Sequence, residues 1–267
     1  MKGRVLIVAG SDSSGGAGIQ ADIRTVTALG GYAATAVTAL TAQNTLGVFG
    51  VVPVEPGFVR QQMDAVLDDI GADVVKTGML HDAGIIRAVA AVLRDKAASL
   101  PLVLDPVMVA TSGAALLDAA ALDVLKHELI PHATVLTPNL PEAERLLGRV
   151  IEGDADVVTR AARALQAMGP AVVVLKGGHG AGATVRDVVA EGEAIYVLEA
   201  PRIDTRHTHG TGCTLASAIA TGIAQGLALR AAIERAHAYV QEAIRTAPGF
   251  GAGYGPLNHA HGFAGNR

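Results

Sequence analysis

Short runs of β-branched and aliphatic residues recur along the chain, each bounded by Gly or Pro and followed by a longer segment with a helical repeat. The runs predict strands over residues 4–9, 34–39, 73–76, 102–105, 134–137, 172–176 and 194–199. The periodic segments predict helices over 18–29, 57–70, 82–98, 119–128, 141–147, 156–168, 213–225 and 229–247. The clearest stripe lies in 57–70, where Phe58, Val59, Gln62, Met63, Val66, Leu67 and Ile70 share one face and Arg60, Asp64 and Asp68 lie off it. Strands alternating with helices imply a parallel sheet covered by helices. No internal repeat, long linker or composition break divides the pattern, so it reads as one domain over 1–261 with a short tail at 262–267. An open doubly wound sheet and an eightfold βα barrel both satisfy it.

Either architecture binds ligands at the carboxyl ends of its strands. Asp12, Gln43, Lys76, Asp105, Asn139 and Lys176 each sit at or just after a predicted strand end. One polar residue in such a place is ordinary loop chemistry, but six together mark a site.

Composition changes this picture in four respects. Half of the 267 residues are apolar and mean hydropathy is +0.38, yet no run approaches the roughly 18 apolar residues of a membrane span. The apolar stretch within residues 1–9 is too brief for a signal peptide. With 21 basic against 25 acidic residues and a net charge of −4, the chain lacks the positive surface that nucleic acid or an anionic membrane needs. A single cysteine excludes an intrachain disulfide and agrees with a reducing compartment, so a cytoplasmic protein is expected. The fourth respect is glycine: 32 residues, about 12% of the chain, against roughly 7% on average. Ten of them fall in three short loops, 10–18, 177–182 and 210–212.

The first loop, between a predicted strand and helix, has no lysine after Gly15 and so is not a Walker phosphate loop. A dinucleotide fingerprint is formally present at Gly16, Gly18 and Ala21, but it starts too far from the strand, and no acid lies between Asp22 and Glu55. An NAD-dependent oxidoreductase is therefore disfavoured. In the second loop Lys176 precedes Gly177, Gly178, His179 and Gly180; it reads either as a point charge for a polyphosphate or as a solvated strand end. The third runs through Thr208, His209, Gly210, Thr211, Gly212 and Cys213 into a helix of small residues. Free amides at a helix start can hold an anion or developing negative charge. At that terminus Cys213 is expected to have a lowered pKa. Asn139, Pro141 and Glu142 form the pattern of a capping box, and equally offer an amide and a carboxylate to Mg²⁺ and phosphates. His259 and His261, near a Gly-rich end, read as tail rather than metal ligands.

Taken together, the segments AGSDSSGGAGIQAD at 9–22, TALTAQNT at 38–45, KTGML at 76–80, DPVM at 105–108, TPNLPEA at 137–143, KGGH at 176–179, THGTGCT at 208–214 and GPLNHAH at 255–261 resemble the hydroxymethylpyrimidine/phosphomethylpyrimidine kinases of thiamine biosynthesis, in the ribokinase-like superfamily. The resemblance covers nearly the whole chain. It implies a three-layer αβα sandwich with a mostly parallel sheet, disfavouring the barrel. It also implies ATP-dependent phosphorylation of 4-amino-5-hydroxymethyl-2-methylpyrimidine and then of its monophosphate, with Mg²⁺, in a homodimer. Pyridoxal kinase of the same superfamily is the nearest alternative. By the resemblance, Gln43 binds the aminopyrimidine, and Ala17, Asp22, Met79 and Val107 line its pocket. Asn139, Glu142, Lys176, Thr208 and Gly210 lie near the ATP phosphates, with Asp105 and Glu142 as candidate metal ligands. Gly210, Thr211, Gly212 and Cys213 match the superfamily's anion hole, where Cys213 stands in the place of the usual aspartate base. The family commonly has asparagine before THGTGC, where this chain reads Arg206-His207.

Overall fold

The computed structural model describes residues 1–109, 113, 116–178 and 182–263; His179 and Gly180 of the second glycine loop, and most of the expected tail, lie outside these. The described residues form one nine-stranded sheet. In chain order its strands are β1 (Arg4–Asp12), β2 (Tyr32–Asn44), β3 (Gly47–Pro53), β4 (Val74–Thr77), β5 (Leu102–Leu104), β6 (Val135–Leu136), β7 (Val172–Leu175), β8 (Thr184–Glu191) and β9 (Ala194–Pro201). Across the sheet the order is β3-β2-β1-β4-β5-β6-β7-β8-β9. The pairs from β2 through β7 are parallel, whereas β3 and β8 run antiparallel to their neighbours. Because β1 lies between β2 and β4, the chain winds first to one side and then to the other. That switch opens a crevice at the carboxyl ends of β1 and β4.

The helices are α1 (Gly18–Ala28), α2 (Pro56–Asp69), α3 (Ala83–Lys96), α4 (Ala119–Glu128), α5 (Leu140–Leu147), α6 (Ala155–Gln166), α7 (Thr211–Ala224) and α8 (Leu229–Arg245). Alternation along β1 sorts them into two layers. Leu6 and Val8 pack with Met63 of α2, Ile86 of α3, Leu125 of α4 and Leu165 of α6. Val5, Ile7 and Ala9 point the other way, onto Val26 of α1, Ile219 of α7 and Ile233 of α8. This is the three-layer sandwich, and the barrel is excluded.

Two strands had no counterpart in the sequence reading. β3 is an edge strand with a central glycine and a terminal proline, mostly exposed, so no apolar run marks it. β8 carries Arg186 and Asp187 within its length, and its buried positions come as a block rather than in alternation. β2 extends well past the predicted residue 39, which puts Gln43 in the strand rather than after it. In α2 the predicted stripe is only partly buried: Val59 and Met63 are fully covered, but Phe58 is exposed.

Candidate active site

At the carboxyl edge of β5, β6 and β7, three side chains meet. Lys176 Nζ donates to Asp105 Oδ1 at 3.1 Å and stands 3.9 Å from Glu142 Oε2. Thr137 Oγ1 also donates to Asp105 Oδ1. Asn139 caps α5 by accepting from the Glu142 amide, and Glu142 Oε2 accepts from the Asn139 amide at 2.8 Å, so the capping box is real. It also serves the site, since it aims the Glu142 carboxylate at Lys176. Burial pushes the Glu142 carboxyl up to about 7 against the pull of Lys176. Burial works to lower the Lys176 pKa, but the two carboxylates outweigh it and hold the ammonium charged.

The helix start faces this cluster. Gly210 is the N-cap of α7, with φ +86°, and a Cβ there would lie 1.9 Å from the Gly16 carbonyl oxygen. A Cβ on Gly212 would stand 3.1 Å from Lys176 Nζ and 3.3 Å from Asp105 Oδ2. Glycine at 210 thus lets loop 10–18 and loop 208–212 touch, while glycine at 212 lets the turn's backbone approach the lysine. Thr211 Oγ1 donates to the Thr208 carbonyl, closing the turn. By contrast, Gly177 answers to packing, because a Cβ there would strike the Arg186 carbonyl of β8 at 1.9 Å.

Met79 and Val107, two of the expected substrate positions, come together with Ala39, Leu116, Val48 and Val51 in an apolar cluster beneath the β2–β3 hairpin. Gln43 lies on β2 near its end, its backbone amide donating to Ser13 Oγ at 2.8 Å. Ala17 starts α1, and its amide donates to Asp12 Oδ2.

Three expectations need correction. Asp22 does not line the opening. It is fully buried, both its oxygens accept from Lys76 Nζ at 2.8 and 2.9 Å, and Oδ1 also accepts from Ser217. Lys76 likewise leaves the list of strand-end site residues, being wholly inside the core. The Cys213 thiol is raised, not lowered. Although the residue is only half-buried, loss of hydration around the sulfur pushes it up to about 12, and the nearby Asp22 and Asp105 charges add to this while Lys76 opposes it. The thiol sits in the first turn of α7, where loss of hydration outweighs the helix dipole.

The sequence reading named Asp12 and His209 but missed the pairings that join the loops. Asp12 Oδ2 pairs with His209 Nε2 at 2.8 Å, joining the first and third glycine loops. The described residues after α8 are not a free tail. The Tyr254 amide donates to the Thr45 carbonyl, the His209 amide to the Gly255 carbonyl, and Thr214 Oγ1 lies 3.0 Å from His259 Nε2. His259 is buried, which pushes its pKa down to about 4, and His261 stacks on Tyr239. The departing His207 ring packs against Gly255 of this strap.

Asp105 and Glu142 are two carboxylates on either side of one ammonium, and no group of three potential metal ligands occurs among the described residues. Mg²⁺ is commonly held by one or two carboxylates plus phosphates and waters. The donor set therefore fits an ion that arrives with a nucleotide.

The model of the phosphomethylpyrimidine kinase family matches residues 12–258. The chain belongs to that family. It is 54% identical over 97% of its length to a bifunctional thiamine-biosynthesis protein of Geobacter sulfurreducens, of which it spans about half, 52%. To the hydroxymethylpyrimidine/phosphomethylpyrimidine kinase of Streptomyces coelicolor it is 49% identical, covering 96% of this chain and 93% of that one. Among solved structures, the ADP complex of Bacillus subtilis pyridoxal kinase superposes with a TM-score of 0.89 at 35% identity, covering 97% and 98% of the two chains. The phosphomethylpyrimidine kinase of Clostridium difficile does so at 0.80 and 38%, covering 91% and 100%. As a member of this kinase family the protein is a phosphotransferase, and the oxidoreductase alternative is set aside.

Proposed function

We propose that this family member transfers the γ-phosphoryl group of ATP to the hydroxymethyl oxygen of 4-amino-5-hydroxymethyl-2-methylpyrimidine, and a second one to the resulting monophosphate, in thiamine biosynthesis. The observation that carries this reading is the placement of Lys176 between Asp105 and Glu142, against the glycine turn at 210–212 and one loop away from Gln43. Phosphoryl transfer passes through a loose transition state, so positioning and charge neutralisation do most of the work. Lys176 and the amides of Gly210 and Gly212 stabilise the transferring group, while the Thr211 amide and hydroxyl hold the turn through the Thr208 carbonyl. Thr208 and Asn139 shape the phosphate side, and Ala17, Met79 and Val107 enclose the ring. Asp105 and Glu142 would hold Mg²⁺, which supplies charge neutralisation between the phosphates when bound. Gln43 offers a donor beside an acceptor, the complement of a ring nitrogen beside an exocyclic amine.

Cys213 takes the hydroxymethyl proton in this scheme, but only from its ionised form. A thiol pushed up to about 12 is almost wholly protonated at pH 7. The expected kcat therefore rises about tenfold per pH unit between pH 6 and 9, and Cys213→Ala loses that rise. A pH-independent kcat in the parent protein would reduce Cys213 to a wall of the anion hole.

The deciding assay couples ADP release to hydroxymethylpyrimidine, its monophosphate and pyridoxal, offered in parallel. Both pyrimidines should exceed pyridoxal in kcat/KM by about tenfold or more. The pyridoxal kinase reading draws on the close superposition with such enzymes, and a preference for pyridoxal would install it.

The reading includes a cytoplasmic homodimer. No helix among the described residues is long and apolar enough to cross a membrane. The edge hairpin exposes Leu40, Phe49 and Val52, with Leu40 opposite Val52 on the paired strands, an apolar surface suited to a second copy. Sedimentation should give a dimer, and Phe49→Glu a monomer.

A further inference from the structure

The Gln43 side chain has two polar neighbours. Its amide nitrogen lies 3.2 Å from His209 Nε2, and its oxygen lies 3.2 Å from Thr41 Oγ1. Each neighbour's proton has a better claim elsewhere. Thr41 Oγ1 carries one proton, and the Ser11 carbonyl, 3.0 Å away, can only accept it. His209 Nε2 lies 2.8 Å from Asp12 Oδ2. Burial works to raise the Asp12 carboxyl, but hydrogen bonds from His209, Ser14 and the Ala17 amide outweigh it and hold it below the ordinary carboxylate range. Asp12 is therefore ionised and can only accept, so His209 Nε2 must carry a proton. Two N–H groups then face each other at 3.2 Å, while two oxygens without a spare proton meet at Thr41. The amide's two ends have the same shape, so hydrogen-bond partners alone decide which way round it sits. Reversed, every group is satisfied: the Gln43 oxygen accepts from the shared His209 N–H, and its NH₂ donates to Thr41.

We propose that the Asp12–His209 pair is a specificity device, positioning the Gln43 amide so that its remaining lone pair and N–H meet the aminopyrimidine in one fixed order. The inference rests on Gln43 as the reader of the substrate. His209 and Asp12 touch Gln43 and the loops, not the reacting atoms, so theirs is a positioning role. Without the imidazole N–H the amide is free to turn, and a turned amide offers the pattern for a 4-oxo ring instead of a 4-amino ring. The same pair, 197 residues apart in the chain, ties substrate reading to the phosphate loop.

The test is the ratio of kcat/KM for 4-amino-5-hydroxymethyl-2-methylpyrimidine to that for its 4-oxo analogue, measured in the parent protein, His209→Ala, His209→Gln, Gln43→Ala and the double variant His209→Ala/Gln43→Ala. A ratio within one protein cancels any loss of folded material. Gln43→Ala and His209→Ala should each lower it by about tenfold or more. The double variant should fall no further than Gln43→Ala, and His209→Gln, which restores an N–H at the same reach, should recover part of the loss. If Gln43→Ala lowers the ratio but His209→Ala leaves it unchanged, or if the two losses multiply in the double variant, the positioning role is overturned while Gln43 stands as reader. If Gln43→Ala leaves the ratio unchanged, the reading of Gln43 itself fails and the inference falls with it.

Discussion

Replacing Lys76 by Met is expected to destabilise the protein by ~3–5 kcal/mol in urea denaturation at pH 7. Lys76 and Asp22 are both fully excluded from water, and their ammonium and carboxylate meet at 2.8 Å. Removing the lysine leaves a buried carboxylate with, among the described residues, only the Ser217 hydroxyl as a donor. Even with Lys76 present, burial raises the Asp22 pKa against the pull of Lys76 and Ser217, and without it the rise is larger. The sign of the pH dependence follows. A carboxyl whose folded pKa lies above its unfolded one favours the fold below the unfolded value and loses that contribution as pH rises through the folded one. The Lys76→Met variant should thus be least impaired near pH 4 and progressively worse toward pH 8. Adding Asp22→Leu should recover most of the loss, because an apolar pair of similar volume has no charge to desolvate. Equal instability of the single and double variants would mean that shape, not charge, governs this part of the core.

Lys176→Ala should lower kcat by ~10²–10³ with a much smaller change in KM for the pyrimidine. Its Nζ stands beside the glycine turn, where negative charge would grow in transfer, and it has no hydrogen bond to Gln43 among the described residues. The melting temperature, taken in parallel, separates this effect from unfolding, since Asp105 and Glu142 lose their common counter-charge at the same time. A variant with parental kcat would remove Lys176 from the transfer step and leave it a structural partner of the two carboxylates.

The parts of the site legible in the sequence are those set by neighbours in the chain. The capping box of Asn139 and Glu142, the strand-end placement of Lys176 and the helix start after Gly210 all follow from spacing within a few residues. What escaped depends on distant pairings. Nothing near Asp22 announces that Lys76, 54 residues on, will claim it, so the residue matched a pocket position yet folded into the core. The Cys213 thiol was misjudged for the same reason: a helix terminus is visible in sequence, but the burial that reverses its effect is not. The fold behaved alike. Strands buried on both faces stood out as apolar runs, while β3, at an edge, and β8, with charges at its start, did not. His259 looked like tail because its partners, Thr214 and Tyr239, are contributed by two different helices.

The strap after α8 bears on when activity can first appear. Gly253 and Thr45, which it joins, are 208 residues apart, and the His209 amide finds the Gly255 carbonyl only once that segment exists. Contacts of such long sequence separation form late, because the chain between them must be ordered first. On a ribosome the sheet from β1 to β9 can be assembled while residues 251–259 are still unmade, and a chain halted there would hold its strands without the clasp over its two loops. The contacts of residues 253–259 with the two loops are thus expected to be among the last of the site to form, after the strands are paired.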